Sequence, residues 1–306
     1  MRFHIPHPIP YQGSKRRLAR AILSHVRPNH YTRLVEPFVG SGAVTLAAAQ
    51  AGKFKTFVLG DKLEPLVALW WRIVHDPTPL ADEYTELWHR ERDRSIDEYY
   101  IIRSEFNKDR SPAKLLYLLA RCVKNSVRFN PAGEFNQSPD KRRTGTRPET
   151  MREELVGSHH LLKGKTEVFC ADFLDLFKNS EPGDFFYLDP PYQGTSSGRD
   201  SRYINGVMRS RIIEGINFLN ERGNPFILSY DGSCGDRTYG DRLPGNLASR
   251  ILLDVGRSSQ ATLNGEEHIT IESLYVSHNL VPNVRDETVV TLREFEGPQI
   301  VTGSLF

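Results

Sequence analysis

The sequence predicts an α/β fold: a mostly parallel sheet covered by helices on both faces, with an antiparallel edge hairpin and an inserted, mainly helical subdomain. Three observations carry this prediction. Short apolar runs alternate with helical patterns up to about residue 76 and again after residue 160. Residues 77–160 are mostly helical in pattern and break that rhythm. The C-terminal part then offers strand-like runs with turn residues, and no helix, between them. The division expected is therefore 1–76 with 161–306 as one domain and 77–160 as the insertion.

Taken in order, residues 33–38 read as a short buried strand leading into a glycine turn and a helix over 43–51. Residues 54–61 form the second strand and 62–75 the next helix. After the insertion come strands at 166–173 and 184–190, a helix near 211–222 and a strand at 225–230. Residues 250–255 and 269–277 are the last strands, with Asn264-Gly265 as a turn between them. No repeat or low-complexity tract is present.

Composition excludes several classes. The chain has 306 residues, 39% hydrophobic and 25% charged, enough for a substantial core and unlike a disordered or fibrous chain. Its three cysteines, at 122, 170 and 234, are odd in number and form no C-x-x-C pair, so neither a disulfide framework nor a metal site is expected, and a reducing cytoplasm fits best. The longest apolar stretches, such as Leu66 to Trp71, are about a third of a membrane span. The net charge of +2 says little, but its distribution is uneven. Residues 1–35 carry seven basic residues and no acid, 82–109 carry nine acids against five bases, and 110–165 carry twelve bases against five acids. Such runs are either solvated surface or the footprint of a polyanion.

Two motifs carry chemistry. Glu36-Pro37-Phe38-Val39-Gly40-Ser41-Gly42 joins a strand to a helix, where glycines let a ligand approach the backbone. The third glycine of the dinucleotide fingerprint is absent, since Thr45 stands there, which disfavours a nicotinamide enzyme. Asp61 ends the second strand 19 residues beyond Gly42, where a carboxylate can accept from two ribose hydroxyls. The alternative is a tight structural turn and a helix-capping Asp. The second motif is Asp189-Pro190-Pro191-Tyr192, directly after an apolar strand. Two prolines remove two N–H donors, leaving carbonyl oxygens and a carboxylate as acceptors at the carboxyl end of a strand. Such a pocket suits an exocyclic amino group, and Tyr192 offers a ring for a base to stack on.

Phe38-Val-Gly-Ser-Gly42 followed by Asp189-Pro-Pro-Tyr192 resembles the S-adenosylmethionine-dependent amino-methyltransferases. More of the chain resembles the Dam-like, D12-class, α-group DNA adenine-N6 methyltransferases. Tyr11-Gln-Gly-Ser-Lys15 is similar to their N-terminal cofactor motif, Cys170-Ala-Asp172-Phe173 to their adenine-ring contact, and Phe226 to Asp231 to the strand backing the target pocket. Arg128-Phe-Asn-Pro-Ala-Gly-Glu-Phe-Asn136 resembles their recognition segment. Ser258 to Gly265 with Glu272-Ser-Leu-Tyr275 resembles their closing hairpin.

The resemblance implies a Rossmann-like methyltransferase sheet and an S-adenosylmethionine site. Tyr11, Lys15, Asp61 and Asp189 would line that site, with Glu36, Phe38, Gly40, Gly42, Asp172 and Phe173 around it. Lys15 alternatively contacts phosphate, and Asp172 alternatively caps a helix. The catalytic turn is Asp189, Pro190, Pro191 and Tyr192, acting without a metal on N6 of an adenine flipped out of double-stranded DNA. Arg16, Arg17, Lys141, Arg142, Arg143 and Arg147 would hold phosphates, with Asn136 in the recognition segment and Arg128 as a guanine reader. The Gly/Ser-rich stretch 193–199 would close over the base. A single flipped base requires one subunit; a cognate restriction endonuclease, which would make the chain half of a restriction–modification pair, and an orphan enzyme both stay open.

One departure stands out. Between the apolar helix and Arg128, Dam-like enzymes that read GATC carry a longer Asn/Tyr/Gly-rich hairpin, so target sequence is not carried over. The rivals are an RNA adenine-N6 methyltransferase, a cytosine-N4 methyltransferase and a non-catalytic nucleic-acid-binding module.

Overall fold

A computed structural model describes residues 4–27, 30–90, 96–191, 209–235, 237–257, 269–280 and 288–291. Its centre is one mixed sheet. Strands β1 (Arg33–Glu36), β2 (Thr56–Asp61), β3 (Thr166–Cys170), β4 (Asp184–Leu188) and β5 (Phe226–Cys234) are mutually parallel in the spatial order 3-2-1-4-5. Beyond β5 the direction reverses. Strand β8 (Ile269–Val276) pairs antiparallel with both β5 and β7 (Ser249–Arg257), β9 (Thr288–Thr291) runs parallel to β7, and the short β6 (Arg237–Tyr239) pairs with β5. The expected parallel sheet with an antiparallel edge is therefore present. The Asn264-Gly265 turn lies outside the described residues.

The order places β2 and β3 on one side of β1 and β4 and β5 on the other. The chain moves outward through β2 and β3, then returns to β4 on the other flank, so the switch point lies between β1 and β4. Arg33 at the start of β1 grips Asp184 at the start of β4 with two bonds, at 2.8 and 2.7 Å. This fork fixes the two strands at their amino ends and leaves the carboxyl ends open as a crevice.

Strand residues alternate between two cores, as period 2 demands. Val35, Val58, Phe186, Leu188 and Leu228 face α8 (Phe173–Lys178) and α9 (Arg209–Arg222), meeting Phe173, Phe177, Ile212 and Ile216. Gly215 of α9 lies so near Phe177 that a Cβ there would stand 2.6 Å from the ring, which is how a small residue lets helix and ring close. The opposite face carries Leu34, Phe57, Leu59, Phe185 and Tyr187 against α1 (Ala19–Ser24), α2 (Ala43–Gln50) and α3 (Glu64–His75). Helix α2 is nearly all alanine, valine and leucine and is buried on every side but its end.

The segment between α3 and β3 supplies α4 (Pro77–Arg90), α5 (Ile96–Asp109), α6 (Pro112–Arg121) and α7 (Pro148–Leu162). Pro112 and Pro148 each stand in the first turn of a helix, where a missing N–H costs nothing. Helix α6 buries Leu115 through Ala120 completely or nearly so. Its residues join Leu66, Trp70 and Leu46 of the α/β part in a single continuous core. The segment 77–160 is mostly helical, as its pattern predicts, except at residues 122–147, an irregular stretch with one short 3₁₀ turn at Val123–Asn125 that includes the Pro/Gly/Thr-rich loop carrying Lys141 to Arg147. Several side chains tie it down. Arg121, buried, donates to the Asp140 carbonyl at 2.8 Å and to the Arg143 carbonyl. Tyr99 and Arg103 of α5 donate to the Gln137 carbonyl, and Asn107 bonds both backbone groups of Phe135.

Candidate active site

The carboxyl edge of the sheet gathers the chemistry. Glu36 ends β1, Asp61 ends β2, Asp189 follows β4 and Asp231 lies in β5. Between β1 and α2 the chain turns through Gly40 (φ 45°) and Gly42 (φ 60°), both left-handed. Gly42 is required twice over: a Cβ there would stand 2.5 Å from Trp70, whose indole N–H donates to the Gly40 carbonyl at 3.0 Å. A Cβ on Gly40 would meet the Tyr11 ring at 3.4 Å, so Tyr11 roofs the turn. Ser14 and Ser41 share a hydroxyl bond of 2.9 Å, pinning the segment that carries Lys15 to the same turn.

Three acids at this edge, two buried and one half-buried, have raised pKa values. Glu36, 3% exposed, is pushed up to about 8 by burial; bonds from the Thr45 N–H (3.2 Å) and hydroxyl oppose the rise, and Asp189 adds to it. Asp61, 5% exposed, is pushed up to about 6 by burial, against backbone N–H groups of Leu63, Gly40 and Lys62. Asp189 is pushed up to about 6 by burial, with Lys15 lowering it and Glu272 raising it. Lys15, buried in a 3₁₀ turn (Lys15–Arg17), reaches Asp189 Oδ1 at 3.2 Å and Glu272 Oε2 at 3.1 Å. Pro190 is buried and Pro191 half-buried beside Asp189. Tyr192 and residues 193–199 lie outside the described residues, as do 258–265.

The remaining site residues fall into two groups. Phe38 packs on Phe173 with ring centroids 5.2 Å apart, and Phe173 is buried under Arg211. Asp172 caps α8 by accepting from the Leu174 N–H at 3.1 Å, and it also pairs with Arg211 at 2.8 Å, which with that cap outweighs burial and lowers its pKa. The cap also explains why β3 stops at Cys170 rather than running to residue 173. Among the basic residues, Arg16, Arg17, Lys141, Arg142, Arg143 and Arg147 are exposed, while Arg128 and Asn136 are half-buried. Arg142 and Arg143 lean on Asp140 at 3.6 and 3.5 Å. The two segments touch: the Gln12 N–H, inside the Tyr11–Lys15 motif, donates to the Asn125 carbonyl at 2.9 Å. Sequence reasoning missed Trp70 as the wall of the glycine turn and Glu272 as a partner of Lys15.

A mixed sheet with a parallel centre, carrying a glycine turn and a proline turn at its switch point, is a Rossmann-like methyltransferase fold. The chain belongs to the family described as D12 class N6 adenine-specific DNA methyltransferase, whose model matches residues 11–260. Similar proteins include the Type II methyltransferase M.MjaIII of Methanocaldococcus jannaschii, 27% identical over 67% of this chain and 75% of that protein. The DNA N-6-adenine-methyltransferase of Escherichia phage P1 is 27% identical over 66% of this chain and 27% of its own length. The DNA adenine methylase of Escherichia coli (strain K12) is 32% identical over 54% of this chain and 57% of its own. For the last two, then, the matched part spans less than two thirds of the relative. Among the described residues no helix is long and apolar enough to cross a membrane.

Proposed function

We propose that the chain methylates N6 of an adenine within a specific sequence of double-stranded DNA, using S-adenosylmethionine. The observation that carries this is the convergence of Asp189 and the Pro190 turn with the Gly40–Gly42 turn and Asp61 at one switch point. The residues fit the cofactor: Asp61 offers a carboxylate to ribose hydroxyls, the glycine turn leaves backbone room under Tyr11, and the acidic edge suits a sulfonium cation. When bound, the cofactor supplies an electrophilic methyl group.

The chain's own residues do the rest. The adenine amino lone pair is delocalised into the ring and is a poor nucleophile. Asp189 and the Pro190 carbonyl each accept one N6–H, which holds the amino group in a more tetrahedral form and concentrates the lone pair. With a pKa of about 6, Asp189 is mostly ionised at neutral pH and so an acceptor. The target base sits inside the duplex stack and must be extruded, and Tyr192 is the proposed stacking platform. Arg16, Arg17, Lys141, Arg142, Arg143 and Arg147 hold the backbone, and Arg128 and Asn136 read from the 128–136 segment within the inserted subdomain 77–160. One subunit acts on one base. A cognate restriction endonuclease is the proposed partner, a reading supported by relatives whose names are those of Type II methyltransferases.

The test is genome-wide detection of modified bases in a methylation-deficient host expressing the chain or its Asp189→Ala variant. N6-methyladenine in one short recurring sequence, absent with the variant, supports the reading and reveals the target. Unmodified DNA, with protein that still binds S-adenosylmethionine, refutes it and moves RNA to first place.

A further inference from the structure

Lys15 is a buried cation forked between two carboxylates that come from distant parts of the fold. Asp189 arrives on the turn after β4, and Glu272 on β8. The position of Glu272 is built by a local irregularity. The β5–β8 register shifts between Ser229 and Gly232, and Gly232 then pairs with Glu272. A Cβ on Gly232 would stand 2.5 Å from the Ile271 carbonyl oxygen, so only glycine lets β8 approach this closely. On the neighbouring position Asp231 is gripped by Arg250 at 2.9 Å and by the Tyr275 hydroxyl, which locks β5 to the two strands behind it. The bulge thus brings a carboxylate to Lys15 at 3.1 Å and keeps it there.

We propose that Glu272 is a positioning residue for methyl transfer: it holds Lys15 in a fork shared with Asp189, so that the lysine charge is divided and more of the Asp189 charge is turned toward the adenine amino group. The inference rests on Asp189 being the N6 acceptor. As the new N–C bond forms from the nitrogen lone pair, the bond from that carbon to sulfur breaks with its pair kept by sulfur. The nitrogen becomes positive until one of its protons leaves toward Asp189 and solvent. A private Lys15–Asp189 pair would be neutral and would meet that charge with nothing. Sharing the lysine between two carboxylates leaves more of the Asp189 charge uncancelled, in a half-buried site where it counts for more than in water. The groups facing Asp189 are Lys15 from the 3₁₀ turn, Glu272 from β8, Glu36 from β1 and Tyr187 from β4. Glu272 favours the protonated form of Asp189 and Lys15 the ionised one, so removing the Glu272 charge moves Asp189 to lower pH.

The discriminating variant is Glu272→Gln, which keeps the shape and an oxygen for Lys15 and loses the charge. Expected is a fall in kcat of about tenfold, with the KM for DNA and the affinity for S-adenosylmethionine held within about twofold. The acidic limb of the kcat/KM profile moves to lower pH. So does the Asp189 titration midpoint, read by carbon-13 carboxyl NMR on the protein alone and assigned with Asp189→Asn. Glu272→Asp restores the charge and recovers part of kcat, and it carries the test if the Gln variant does not fold. A Gln variant with wild-type kcat and an unmoved acidic limb overturns the proposal, as does equal loss in Gln and Asp variants. If wild-type protein methylates no DNA, the proposed function fails while the carboxyl titration still reads the fork.

Discussion

Glu36 offers the sharpest test of how this site is held together. It is buried at the end of β1, and its carboxyl is raised from 4.5 to about 8. Below pH 4.5 both folded and unfolded chains hold the proton; between 4.5 and about 8 only the folded chain does. The stability contributed by the protonated Glu36 is therefore full at low pH and is lost as pH rises through that window. At about 1.4 kcal/mol per unit, the loss between pH 5 and pH 8 comes to about 3.5 kcal/mol. Glu36→Gln imitates the protonated acid, and its carbonyl can accept from the Thr45 N–H and hydroxyl. Urea unfolding of both proteins at pH 5, 6, 7 and 8 reads the difference directly. Asp61 and Asp189 titrate in both proteins and cancel in the comparison. The variant should gain on wild type by about 3.5 kcal/mol across the range. A difference that stays constant within about 1 kcal/mol would refute the assignment of a neutral, buried Glu36.

Two further outcomes follow from packing and charge. Gly42→Ala must place a Cβ 2.5 Å from Trp70 at a left-handed position, so strain and overpacking together should cost about 2–4 kcal/mol, seen as a lowered urea midpoint. Calorimetry should also show weakened S-adenosylmethionine binding; an unchanged midpoint would mean that Trp70 yields easily. Replacing Lys141, Arg142 and Arg143 by alanine should weaken DNA binding across all sequences and reduce the salt slope of log K by about 0.9 per lost phosphate contact. Loss confined to one target sequence would instead make these residues readers of bases.

The central elements were legible because they are short apolar runs punctuated by glycine and proline. β1, α2, β2, α3 and β4 fall within three residues of the expected spans, and the switch-point chemistry was visible in Gly40, Gly42, Asp61 and Asp189. Edges were harder. β5 runs on to Cys234 past its expected end, because β8 and β6 extend it by pairing, which no local pattern encodes. Within the mostly helical 77–160, the loop carrying Lys141 to Arg147 was legible from its proline, glycine and threonine, while the start of the irregular stretch at Cys122 was not. Glu272 was visible only as part of a resemblance. Its meeting with Lys15 depends on a bulge whose one trace in the sequence is Gly232 within a strand. Trp70 left no trace at all, since a buried indole on an amphipathic helix reads as ordinary core.

The shared core beneath the inserted helices limits how specificity can be exchanged between enzymes of this kind. Helices α4 to α7 cannot be lifted out without exposing Trp70 and Leu66, so a transplant of the whole insertion would carry an alien interior with it. Under the proposed function the exchangeable unit is smaller: residues 122–147, suspended between Arg121 at one end and Pro148 at the other. A donor loop must present two carbonyls to Arg121 and one to the Gln12 N–H, or the graft would disturb the segment that carries Lys15.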